Sequence, residues 1–438
     1  MGRGMMRKYL KQFGISEKIE AITGECEKAL AERFTSLSSV CEENQYKVLS
    51  AFSKNRLSDA HFGFATGYGY DDPGRDVTER IFADVFGAEA ALVRTQIVCG
   101  THALSITFSG ILRPGEKLLY CTGMPYDSLL STIGIGGEGA GQGTLSEFGI
   151  GYSQVGLTAD GSFDYEALET ALKDPSVRMA AAQRATGYSA RGRQALNAIT
   201  IEQLSEWARF VKKERPDVVL MADNCYGEFI ETLEPTEIGV DIMAGSLIKN
   251  PGGGLALSGG YVAGRADLVD KVAYRLTCPG IGGECGLTFG QTRTMLQGLF
   301  LAPRIVMDAV KGAILCGAVF ERLGFEVFPD SAGTRADIIE TIRLGSPEAL
   351  IAFCKGIQAI SPVDTFVTPE PWGMPGYRDK VIMASGAFVT GSSIELSADG
   401  PLREPYNVYF QGGLTYEHAK LGVMSAAQHL IDIGIVGL

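Results

Sequence analysis

Lys249 closes a nearly apolar run in "AGSLIKNPGGG" (244–254), just ahead of a proline and three glycines. An amine placed where a buried strand runs out into a glycine-lined loop can act as a nucleophile or a base once it loses its proton. Asp223 follows the apolar residues of "VVLMADNCYGEF" (218–229), where a carboxylate is either desolvated at high cost or paired with a cation. Gly100, Thr101 and His102, in "CGTHAL", fall at a strand-to-helix junction. Unpaired N–H groups and the helix dipole there favour a phosphate. Tyr126, in "MPYDSL", follows another apolar run, with Asp127 as a helix cap, and Ser246 lies just before Lys249.

A lysine, a buried carboxylate, an anion site at a helix start and an aromatic plate match what pyridoxal 5'-phosphate needs. The lysine forms a Schiff base, the carboxylate keeps the ring nitrogen protonated, and the aromatic stacks on the ring. The protonated ring then serves as an electron sink for a carbanion. Burial is expected to hold the Lys249 amine below the ordinary lysine value.

The elements that must position these groups read as α/β. "AALVRT", "EKLLYC", "VRMAAAQ", "VVLMA", "VDIMAGS" and "LALSGGYVAG" are strand-like and alternate with helical runs such as "YDSLLSTI" and "TIEQLSEWARFVKKE". Continuous apolar strands separated by helices predict a parallel sheet covered on both faces. Residues 15–55 read as helical, and Asp76 with Glu79 resembles a capping box for a helix stopping near Gly87. A long helix over about 291–323 leads into a second, α+β part with strands near "FEVFP", "RADIIETIRL" and "GSSIELSAD". The expected division is a helical segment 1–55, a large α/β domain 56–305 and a small C-terminal domain 306–438. "GIGGEG" (134–139) matches GxGxxG, but no strand leads into it, so a dinucleotide fingerprint is not expected.

Composition narrows the class. Net charge is −12, with no basic run, which argues against nucleic acid or an anionic membrane as partner. No apolar stretch reaches membrane-spanning length and no signal peptide is recognisable. Nine scattered cysteines without CxxC fit a reducing, cytoplasmic setting, and four histidines without a HExxH-like pair leave no metal site expected.

"ADNCYGEFIE" followed by "GSLIKNPGGG" resembles the cystathionine/methionine γ-lyase family of fold-type-I pyridoxal phosphate enzymes. "GTHA", "QRATGYSARGR" and "SADGPLREPY" resemble its methionine γ-lyase-like, aluminium-resistance carbon–sulfur lyase-like branch. The resemblance runs from about residue 55 to the C-terminus and implies the aspartate aminotransferase-like fold, with a mostly parallel seven-stranded sheet in the large domain. It implies Lys249 as the Schiff-base lysine, Asp223 as the partner of the ring nitrogen and Tyr126 as the stacking aromatic. Cys225 would touch the other ring face, and Gly100, Thr101 and Ser246 would hold the phosphate. Tyr70 and Arg75 resemble residues that reach the phosphate across a dimer interface, or they order their own loop. Arg403 resembles the residue that pairs with the substrate carboxylate. His102 either caps its helix or approaches the ring. Arg184 is open between a substrate contact and a contact to the ring hydroxyl. The family's usual Ser-Ala-Thr-Lys reads here as Ser-Leu-Ile-Lys, Gly-Met in the phosphate loop reads as Thr-His, and the tyrosine sits in "PYDS" instead of Tyr-Gly-Gly.

The implied activity is β- or γ-elimination, or replacement, on an L-amino acid, with carbon–sulfur cleavage of a cystathionine- or methionine-like substrate foremost. Alternatives are a non-sulfur leaving group, transamination, aldol cleavage, or a non-catalytic binding protein. The resemblance also implies a homodimer with shared sites, paired into a tetramer.

Overall fold

The computed structural model describes residues 2–135, 142–185, 198–374 and 379–437. Three helices lead the chain, α1 (Gly2–Gln12), α2 (Glu17–Ala29) and α3 (Ala31–Lys54). Then come α4 (Pro73–Val85), β1 (Ala90–Arg94), α5 (Gly100–Ile111), β2 (Lys117–Tyr120), α6 (Asp127–Ile133), β3 (Gly151–Gln154), α7 (Tyr165–Leu172) and β4 (Val177–Gln183). They are followed by α8 (Ile201–Glu214), β5 (Val219–Asp223), β6 (Ile242–Ser246), β7 (Gly260–Gly264), α9 (Ala266–Leu276) and α10 (Thr292–Arg322). The remainder is β8 (Glu326–Phe328), β9 (Ile339–Arg343), α11 (Pro347–Gln358), β10 (Val381–Ala384), β11 (Ser397–Pro401), β12 (Asn407–Gln411) and α12 (Tyr416–Asp432).

Residues 42–303 form one compact unit, while 1–41 and 304–438 together form another. The division falls inside α3 and inside α10, beside Pro303.

The larger unit holds a seven-stranded sheet ordered β1-β7-β6-β5-β4-β2-β3. Strand β7 runs antiparallel to both neighbours, and every other pairing is parallel. The central strands are buried along most of their length, with only Arg178 of β4 exposed and Val219 of β5 half-buried, as continuous apolar runs require when both sheet faces are covered. On one face Leu92, Met179, Ile242 and Val262 pack with Leu104 and Phe108 of α5 and Val272 of α9. Elsewhere Phe82 of α4 and Phe86 at its C-cap pack against Tyr261 of β7. Helix α8 starts where the sequence signals it, with Thr200 and Gln203 closing a capping box.

Helix α4 corrects one expectation. Its N-cap is Asp72, which accepts from the N–H groups of Gly74 and Arg75, and Pro73 occupies the first helical turn. Asp76 lies inside the helix, and the Glu79 carboxylate binds Arg94 at 2.6 Å instead of closing a capping box. The stop near Gly87 is as expected, with Phe86 as C-cap and Gly87 at φ +60°. Gly134 ends α6 in a left-handed turn, while residues 136–139 of "GIGGEG" and 186–193 of "QRATGYSARGR" lie outside the described residues.

The other unit carries a five-stranded antiparallel sheet ordered β10-β11-β12-β9-β8. Helices α11 and α12 belong to it, and α2 docks there: the Ser16 amide donates to Gln428 Oε1 at 3.1 Å, and Glu27 accepts from Lys420 and Tyr416. No helix among the described residues is long and apolar enough to cross a membrane.

Candidate active site

Parallel strands deliver their carboxyl ends to one sheet edge, and the register aligns them. Gln183 of β4 stands beside Asp223 of β5, which stands beside Ala244 of β6. Arg184 and Cys225, just beyond β4 and β5, and Ser246, the last residue of β6, therefore gather along a single rim. The start of α5 reaches the same rim. A side-chain carbon on Gly100 would lie 3.3 Å from Cys225 Sγ and 3.5 Å from Ser246 Cβ. Gly100 thus brings backbone N–H groups, which have no carbonyl within their own helix, close to both residues.

Asp223 is buried, and its Oδ1 accepts the Cys225 N–H at 3.1 Å. Thr101 Oγ1 lies 3.1 Å from the Tyr126 hydroxyl and 3.2 Å from Ser128 Oγ. Lys249 follows β6, and its Nζ sits 4.0 Å above the centre of the Tyr226 ring. The glycines behind it are a packing requirement. Gly253 adopts φ +51°, and a side chain there would collide with the Gly298 carbonyl on α10.

Charge is managed by burial and proximity. Burial, then the Asp223 carboxylate, drives the Tyr126 phenol well above its ordinary value. The Cys225 thiol is pushed up the same way, so it is a neutral contact. Lys249 overturns the sequence expectation. Burial pulls its amine down, but the acidic groups around it, Asp223 and Glu228 among them, outweigh burial and raise it above the ordinary lysine value. The sequence reading counted desolvation and overlooked how many acidic groups share the loop.

The remaining expected residues are placed as follows. His102 Nδ1 accepts the Val98 N–H at 3.2 Å, so that face of the ring braces the turn before α5, and burial lowers its pKa. Arg184 has no exposed surface. It donates to Ile199 O, Asn224 Oδ1 and Gly227 O, and pairs with Glu231 at 2.7 Å. Its guanidinium clamps the loop after β5 and offers no free fork to a substrate, contrary to expectation. Arg75 is buried and bonds within its own chain to Gly69 O at 2.5 Å, Glu284 O at 3.1 Å and Asp76. Tyr70 is exposed and packs at 5.8 Å from Tyr68. Arg403 lies in the other unit, paired with Asp379 at 3.1 Å.

Sequence reasoning missed Tyr226, Ser128, Glu228 and Tyr261. Glu228 did leave a signal, as an acid set in the apolar surroundings of "CYGEFI". Tyr226 left none, because nothing in its identity announces its left-handed backbone at φ +70°.

Comparison with known proteins defines the class first. The Escherichia coli protein YhfS, described as pyridoxal-5'-phosphate dependent, shares the fold at a TM-score of 0.59 and 16 % identity, over 90 % of this chain and 97 % of its own. The fold is that of the fold-type-I enzymes. Within that class the chain belongs to the methionine gamma-lyase family, whose model matches residues 19–431. A Clostridium novyi NT structure described as a carbon–sulfur lyase involved in aluminium resistance is 49 % identical, with a TM-score of 0.92 over 97 % of this chain and 98 % of its own. The Bacillus subtilis (strain 168) protein named "Uncharacterized protein YnbB" is 48 % identical over 95 % of this chain and 97 % of its own length.

Proposed function

We propose that this chain is a pyridoxal phosphate-dependent lyase that breaks a carbon–sulfur bond of an L-amino acid by β- or γ-elimination. The observation that carries this reading is the gathering of Lys249, buried Asp223 and the Gly100 helix start on one sheet rim. The name carried by the Clostridium novyi relative supports the type of bond broken.

The donor set suits the cofactor. The approach at Gly100 is tight for a side chain, and the first N–H groups of α5 stand beside the hydroxyl-bearing residues Thr101 and Ser246. These three would hold the phosphate, Asp223 the ring nitrogen, Tyr126 and Cys225 the two ring faces, and Lys249 the aldehyde carbon. When bound, the cofactor supplies an electron sink for charge developing at the substrate α-carbon. Lys249 Nζ takes the α-proton, and in γ-elimination carries a second proton from the β-carbon. The Tyr226 ring beneath Nζ favours the ammonium once it forms, keeping the amine in place. The hydrogen bond from Cys225 N–H to Asp223 holds the carboxylate in one orientation.

The active unit in this reading is a homodimer, paired into tetramers, in which exposed Tyr70 of one protomer completes the other's phosphate site, while Arg75 orders its own loop. Mixing Tyr70→Phe chains with Lys249→Ala chains should restore turnover in hybrids, and no recovery would refute the shared site. The reaction itself is tested with cystathionine, methionine and cysteine, scoring keto acid, ammonia and thiol. Lys249→Ala should abolish both turnover and the violet absorbance of the lysine-bound cofactor. Keto acid without ammonia would identify a transaminase instead.

A further inference from the structure

Tyr126 is held at both ends of its side chain. Its backbone is the N-cap of α6, and its carbonyl accepts the Leu129 N–H at 2.9 Å and the Leu130 N–H at 3.3 Å. Its hydroxyl lies 3.1 Å from Thr101 Oγ1, in the first turn of α5. The ring therefore bridges two helix starts, and it packs, partly buried, against the apolar core.

Thr101 is fixed in turn. Cys99 caps α5, its Sγ accepting the His102 N–H at 3.4 Å and its carbonyl the Ala103 N–H at 3.0 Å. From α6, Ser128 Oγ comes within 3.2 Å of Thr101 Oγ1. Thr101 and Ser128 belong to "GTHA" and "PYDS", two stretches where the sequence departs from the family it resembles. Each departure adds a hydroxyl, and the two hydroxyls meet beside that of Tyr126. Tyr126, Thr101 and Ser128 carry one hydroxyl proton each. The Tyr126 phenol keeps its own, because burial and the Asp223 carboxylate oppose its loss.

We propose that Ser128 is a positioning residue: Tyr126 donates to Thr101 Oγ1 and Thr101 donates to Ser128 Oγ, a chain that fixes the ring expected to cover the cofactor. The inference deepens the function proposed above and rests on it only for what the ring covers. A phosphate oxygen accepts hydrogen bonds and donates none, so a Thr101 hydroxyl engaged with Ser128 has nothing left to give it. The share of Thr101 in the phosphate site narrows to its N–H, which has no carbonyl within its own helix.

The test uses the full chain, prepared without cofactor and labelled with 3-fluorotyrosine, and reads the fluorine resonance of Tyr126. Tyr126→Phe identifies that line by removing it. Ser128→Ala should shift the line, and Thr101→Val, which keeps the side-chain shape without the hydroxyl, should shift it further. Both changes together should shift it no more than Thr101→Val alone, since they break one chain. Ser128→Thr keeps a hydroxyl and should leave the line near its original place. A line unmoved by Ser128→Ala overturns the proposal, as do shifts that simply add. Should Thr101→Val fail to fold, Ser128→Ala compared with Ser128→Thr decides alone.

Inorganic phosphate, titrated into the same cofactor-free proteins, tests where the Thr101 hydroxyl is engaged. Thr101→Val should bind phosphate as tightly as the unaltered chain. A fall of about tenfold or more, the scale of a lost hydrogen bond to a charged group, puts the hydroxyl on the phosphate and overturns the assignment. If the unaltered chain binds no phosphate, the anion site of the proposed function fails and the fluorine shifts decide. Those shifts need neither cofactor nor turnover. A chain that shows them but takes up no pyridoxal phosphate upholds this inference while the proposed function fails.

Discussion

At the scale of single residues, the site depends on what Gly100 lacks. Gly100→Ala would press a methyl group toward Cys225 Sγ and Ser246, while alanine suits a helix better than glycine by about 1 kcal/mol. Affinity for pyridoxal phosphate should therefore fall tenfold or more, by about 1.4 kcal/mol, with no drop in melting temperature. Titrating cofactor into both proteins and melting each checks this. Glu228 makes a second prediction at this scale. Its carboxyl binds a proton more tightly in the folded chain, at about 8, than in the unfolded chain, near the ordinary glutamate value of about 4.3. Its contribution to stability is therefore fully present below that lower value and is lost as pH rises through the folded value. Melting temperature compared with Glu228→Gln should decline between about pH 5 and 9, and parallel curves would count against a proton held there. Lys249, Asp223 and Gly100 were legible because each interrupts a strand or helix pattern with a residue the pattern does not want. Tyr226 and the raised Lys249 amine were not, since both arise from residues that meet only through the turn after β5.

At the scale of elements, six strands of the seven-stranded sheet stood out as apolar runs. β3 did not: Gly151–Gln154 is a short edge strand, half-buried, with no continuous apolar stretch. The antiparallel course of β7 was equally hidden, because strand direction follows from the connecting loop and leaves no mark on a strand's composition. The start of α4 was misplaced although its signals were present, with Asp72 and Pro73 outweighing the Asp76–Glu79 spacing. Arg184 shows how an element end can be held by one side chain. Arg184→Met would keep the bulk but leave Glu231 and Asn224 without their buried cation. A loss of about 3 kcal/mol is expected, read as a lower urea midpoint. The loop carrying Cys225 and Glu228 should loosen with it, seen as faster amide exchange there than in α9.

At the scale of the whole molecule, the first 41 residues and the last 135 make one compact unit. A reading along the chain groups neighbours in sequence and so sets the leading helices apart as a segment of their own. What joins the ends is a set of contacts between residues far apart in the chain. The Phe34 and Tyr416 rings meet edge-on at 5.5 Å, and Glu27 accepts from Lys420 at 2.6 Å and from Tyr416 at 3.0 Å. Glu27→Ala should cost about 1 kcal/mol, the scale of a partly solvated ion pair with one added hydrogen bond, measured by urea unfolding. Lys420→Ala combined with it should cost little more, since the two changes remove the same interaction.

This arrangement has a consequence on the ribosome. The leading helices leave the exit tunnel long before their partners are made, and at bacterial or eukaryotic synthesis speeds the wait is on the order of tens of seconds. During that interval residues 42–303 can complete their own core, while α2 and the first part of α3 travel with an apolar stripe that nothing yet covers. A newborn chain is therefore most open to helper proteins and to self-association at its oldest end, and that exposure ends only after translation has delivered α12.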